Sequence, residues 1–205
     1  MKHTEFIASL ADLMEVERTE LATVDRALAK AGMRQLSRGR YHPDVTLEEG
    51  VRLVCAWAGS QSLTLAAQDV DRLEHCTLEA QPPDEHALTP RFDPEFEKIF
   101  GVSEQDLANL SFLEVMFRIT RHIGSGLPDT KDLEDLWIEI EKGGAPEIIY
   151  TRFPVVGRVS FRKLHKTLDF DPKTQRTRPP KPLVKITTSI SWPVLKWIFD
   201  VTEGA

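Results

Sequence analysis

The chain has 205 residues, 41% hydrophobic and 28% charged, an ordinary composition for a globular protein. No apolar run reaches the roughly eighteen residues of a membrane-spanning helix, and Glu5 and Asp12 interrupt the stretch where a secretory leader would be apolar. Two cysteines, Cys55 and Cys76, make no disulfide framework, so a reducing cytoplasm is the expected compartment.

The net charge of −6 is unevenly spread. Residues 1–75 carry −3, residues 76–145 carry −9 and residues 146–205 carry +6. Salt screens charges beyond roughly 10 Å, so local fields decide partners more than the total does. An acidic centre lies between two ends that hold the basic clusters.

In chain order, a first helix is predicted from Thr4 to about Leu13, with Phe6, Leu10 and Leu13 on one face. A second runs from Arg18 to just before Gly32. Its Leu21, Val24, Leu28 and Ala31 form a buried stripe, and Gly32 fits the left-handed position that ends a helix. Its outer face is read as Arg18, Ala22, Asp25, Arg26, Ala29 and Lys30. From Arg26 to Arg40 there are five cations and no acid. They continue past the helix into a loop with Ser37-Arg38-Gly39-Arg40.

Thr46 and Glu49 make a capping box for a third helix through about Trp57. Gly59-Ser60-Gln61 breaks it. A fourth helix carries Leu63, Ala66, Ala67, Val70 and Leu73. Thr77 to Pro94, with four prolines, reads as an extended linker. Ser103 with Asp106 caps the next helix, whose stripe is Leu107, Leu110, Leu113 and Phe117, ending near Gly124-Ser125-Gly126.

The last third changes period. Leu136, Ile138 and Ile140 alternate with polar neighbours. Glu147–Phe153 and Arg158–Lys163 are separated by a turn at Gly157, and Leu183–Ile190 alternates again. Three or four antiparallel strands are expected. Ser191-Trp192-Pro193 begins a final helix with Val194, Leu195, Ile198 and Val201 on its apolar side. The fold class is α+β. The expected units are residues 1–76, a linker over 77–102, and an assembly module over 103–205.

Leu10-Ala11-Asp12-Leu13, Leu21, Leu28 and Ala31-Gly32-Met33 resemble the helix-turn-helix core of bacterial and phage winged-helix regulators. The continuation through Ser37-Arg38-Gly39-Arg40, Pro43, Thr46 and Glu49 is similar to small phage and prophage helix-turn-helix proteins. The resemblance covers residues 5–75 and implies double-stranded DNA as a partner. In place of a wing after Gly32 the sequence leads to a capping box, so a recognition helix with a basic arm is expected. Arg18, Arg26 and Lys30 would reach base edges or flanking phosphates, and Arg34, Arg38 and Arg40 would hold the backbone.

A second basic cluster includes Arg158, Arg162, Lys163, Lys166, Arg176 and Arg178. It could follow a phosphate backbone, protect a strand edge or dock on a neighbouring subunit. Scattered histidines and His75-Cys76 with His86 lack zinc spacing, and no nucleotide-binding or hydrolase motif occurs, so neither cofactor nor enzyme activity is expected. The expected role is a phage-type transcriptional regulator acting as a homo-oligomer. The alternatives are a small-terminase-like packaging adaptor, which would form a large ring, and an interaction protein that docks a partner through its acidic middle.

Overall fold

The computed structural model describes residues 1–36, 43–78, 97, 100–126, 136–144, 146–152, 155–163 and 186–204. Among these residues there are seven α-helices and a five-stranded sheet, an α+β fold.

Helix α1 (His3–Met14) and α2 (Arg18–Lys30) are joined by three residues, with Glu15 in the left-handed region at φ 54°. Helix α2 ends as its sequence predicts. Gly32 takes φ 75°, its N–H donates to the Ala29 carbonyl, and the Met33 N–H donates to the Leu28 carbonyl. Those two bonds satisfy carbonyls that the helix end would otherwise leave open. Helix α3 (Leu47–Gly59) starts from the Thr46–Glu49 capping box, in which both reciprocal bonds form. A short 3₁₀ turn (Leu63–Leu65) precedes α4 (Ala66–Glu74), and β1 (Cys76–Leu78) follows.

The single amphipathic helix expected after Ser103 is two. Helix α5 (Glu104–Asn109) is capped by Ser103 and Asp106, and α6 (Phe112–Gly124) by a second box of Ser111 and Glu114. The apolar stripe runs on through Leu110, so periodicity hides the break. The second box is its sequence mark.

Strands β2 (Leu136–Glu141), β3 (Pro146–Arg152), β4 (Val155–Lys163) and β5 (Thr187–Ser191) precede α7 (Trp192–Thr202). The sheet order is β1-β4-β3-β2-β5, and every pairing is antiparallel. Gly157 lies inside β4, opposite Tyr150, rather than in a turn. Residues 153 and 154, between β3 and β4, lie outside the described residues, as do residues 183–185 of the last expected strand.

One cluster of buried apolar side chains reaches from Phe6 to Ile198. Ten residues of α3 are buried, and this helix packs on α2, α4, α6 and α7 as well as on β2 and β5. It is the central element. Gly50 lets α7 come close, since a Cβ there would lie 2.9 Å from both Ile198 Cγ2 and Phe6 Cζ.

The core does not divide at residue 76. Cys76 is buried, and Cys76–Leu78 pairs with Phe161–Lys163 across the sheet. Phe100 and Val102 are fully buried too. Thr77 and Leu78 thus belong to the sheet, and Phe100 and Val102 to the buried core, rather than to an extended linker. The Pro82–Pro94 portion of that expectation lies outside the described residues.

Candidate nucleic-acid interface

Helix α2 buries Leu21, Val24, Asp25, Leu28 and Ala29. Its neighbours are α1, α3, α4 and the 3₁₀ turn. What remains open is one arc. Arg18, Thr19, Arg26 and Lys30 are exposed, and Ala22 and Thr23 are partly so. Spacings of four residues along Arg18, Ala22, Arg26 and Lys30 keep these positions on one side of the helix. The arc carries three cations, two threonines and no carboxylate. Among the described residues, Arg18, Arg26 and Lys30 take part in no ion pair. Glu20, beside the arc, accepts the Trp57 indole N–H at 2.9 Å and is turned towards α3.

The outer face read from the sequence needs correcting at two places. Asp25 and Ala29 are buried, 7% and 9% exposed. Asp25 has a partner. Arg34 Nε lies 2.7 Å from Asp25 Oδ1, and Arg34 Nη2 donates to Asp25 Oδ2 at 2.8 Å. Nη1 donates to the Gln35 carbonyl at 2.8 Å. The Arg34 side chain is only 15% exposed. It is engaged by the fold and is not presented to a phosphate.

Around this pair is a polar cluster that sequence reading missed. His3 Nδ1 lies 3.6 Å from Asp25, and its Nε2 lies 3.7 Å from Glu49. Glu49 also accepts the backbone N–H of Gln35 at 2.6 Å and of Thr46 at 3.0 Å. One buried carboxylate therefore caps α3 and ties down the chain leaving α2. The sequence held part of the signal. Asp25 falls four residues after Leu21 and three before Leu28, a spacing that belongs to the buried stripe. A carboxylate there calls for a cation, because burying a lone charge is costly.

At the chain start, Lys2 bridges to Asp44, and its Nζ lies 3.0 Å from the Asp44 carboxylate. Hydrogen bonds from Lys2 and from the N-terminal amine hold that carboxyl below its ordinary range. Arg38 and Arg40 lie outside the described residues.

The second basic cluster is partly placed. Arg158, Arg162 and Lys163 are on β4, in register with Ile149, Thr77 and Cys76 respectively. Lys166, Arg176 and Arg178 lie outside the described residues. No group of three or more His, Cys, Asp or Glu that could hold a metal occurs among the described residues. Burial pushes the Cys55 thiol up to about 12, which keeps it protonated and a poor nucleophile or ligand. No described helix is long and apolar enough to cross a membrane.

No protein-family model, curated protein or solved structure matches this chain.

Proposed function

We propose that this chain binds double-stranded DNA through the open arc of α2, as a transcriptional regulator of phage or prophage type. The observation that carries the reading is the arc itself. An acidic chain sets three cations side by side on an exposed helical face with no acid among them. Exposed cations with no acidic partner among the described residues are suited to a polyanion, where each phosphate contact releases condensed counterions. Arg18 and Lys30, towards the two ends of the arc, are suited to the flanking strands of a groove. Arg38 and Arg40 extend the basic run in sequence. Arg34 is left out, because Asp25 holds it. A single helix pair offers modest affinity, so the working species is a homo-oligomer that engages paired sites.

Titration of a mixed-sequence duplex with the full chain, at a series of salt concentrations, tests this. Binding should weaken steeply with salt. The joint Arg18→Ala and Lys30→Ala variant should flatten the log–log slope by roughly 2, about 0.9 for each lost phosphate contact. Absence of binding at low salt would sink the proposal. An unchanged slope in that variant, and also in Arg38→Ala with Arg40→Ala, would move the contact surface elsewhere.

A further inference from the structure

Arg26 stands in the middle of the α2 arc, one turn after Ala22 and one turn before Lys30. Its guanidinium is already oriented by the helix. Nε donates to the Ala22 carbonyl at 3.1 Å, and Nη2 donates to Thr23 Oγ1 at 3.1 Å. The Thr23 hydroxyl gives its own proton to the Thr19 carbonyl at 2.8 Å, which leaves its oxygen free to accept from Arg26.

A guanidinium has two edges that can donate a parallel pair of N–H bonds, Nε with Nη2 and Nη1 with Nη2. In Arg26 the oxygens of α2 occupy the first edge. Among the described residues the second edge has no partner, and it points away from those oxygens. In the major groove, guanine presents N7 and O6, two adjacent acceptors that match such an edge. Adenine sets a donor beside N7, cytosine presents a donor, and thymine offers a single acceptor beside a methyl. A helix lying in the groove brings the middle of its face to the base edges and its flanks to the backbone. The neighbouring Ala22 is small enough to permit that approach.

We propose that Arg26 is a base-reading residue whose Nη1–Nη2 edge selects guanine, and that Thr23 is the positioning residue that holds it in that pose. The inference rests on the DNA-binding reading above and adds a sequence preference to it.

The test selects bound duplexes from a randomised pool with the full chain and sequences them. One position should be enriched in G·C by about tenfold or more. In a duplex carrying that site, 7-deazaguanine at the position should cost the unmodified chain a similar factor, since it lacks the N7 acceptor. Arg26→Met keeps an unbranched stem but removes the donors, and Thr23→Val keeps the branched shape. Each should level the preference at that position, and Arg26→Met should bind the 7-deaza and parent duplexes equally. Should the chain bind DNA with no G·C position enriched, or should the enrichment survive both substitutions, the inference falls and the DNA-binding reading stands. No binding to any duplex at low salt removes both.

Discussion

Arg26 and Arg34 are the same side chain in opposite surroundings. Arg26 is exposed and, among the described residues, bonded only to neutral oxygens of its own helix. Arg34 is largely buried and paired twice with a buried carboxylate. Removing one partner of a buried pair leaves the other charge uncompensated, which costs about 3 kcal/mol or more. Arg34→Ala should therefore lower the urea midpoint substantially, whereas Arg26→Ala should change stability by no more than about 0.5 kcal/mol. Equal midpoints for the two variants would mean that the Asp25 pair contributes nothing. The capping box at α5 gives a second residue-scale expectation. Hydrogen bonds from the Ser103 hydroxyl and backbone N–H, with the Arg118 charge, hold the Asp106 carboxyl below its ordinary value of 3.8. A depressed folded-state value adds stability above about 3.8, and that increment is lost as pH falls through the folded value. Asp106→Asn should thus be less stable than the parent at neutral pH, with the gap closing in acid. A gap that persists at low pH would show that the charge is not what matters.

Elements are where the sequence was most legible, and the reason is locality. Helices α1 to α4 declare themselves through a 3.6-residue apolar period, the Thr46–Glu49 box and the Gly32 terminator, all readable within a few residues. What failed was non-local. Strand β1 has three residues, and only its pairing with β4 makes it a strand. Gly157 resembles a turn until its partner Tyr150 is seen. Leu13, read as part of the buried face of α1, is 40% exposed because the chain turns away just beyond it. The basic residues of α2 were legible by composition, but the burial of Asp25 and Arg34 depends on α1, α2 and α3 meeting. Helix contacts also set limits on side-chain size. A Cβ at Gly124 of α6 would land on the Phe199 ring of α7. Gly124→Ala should cost about 1–3 kcal/mol through overpacking, despite the better helix propensity of alanine. A neutral or stabilising result in thermal unfolding would mean that Phe199 can move aside.

At the scale of the whole molecule, the shared core predicts one cooperative unit. Trp57 lies in α3, whereas Trp192 and Trp197 lie in α7, and all three pack against the same buried cluster. Tryptophan fluorescence and far-ultraviolet circular dichroism should therefore report coincident unfolding transitions. Residues 1–78 produced alone should show no cooperative transition, because α3 would lose its contacts with β2, β5, α6 and α7. Two separated transitions in the full chain would restore a boundary near residue 76.

The seat that α3 keeps for α7 at Gly50 has a further meaning in time. Phe6 and Gly50 leave the ribosome well before Ile198, which completes their packing. At synthesis rates of 5–20 residues per second, the wait is on the order of ten seconds. During that interval the apolar flank of α3 stands open to chaperones and to other nascent chains. The same helix that later holds the finished protein together is the part most in need of protection while it is being made.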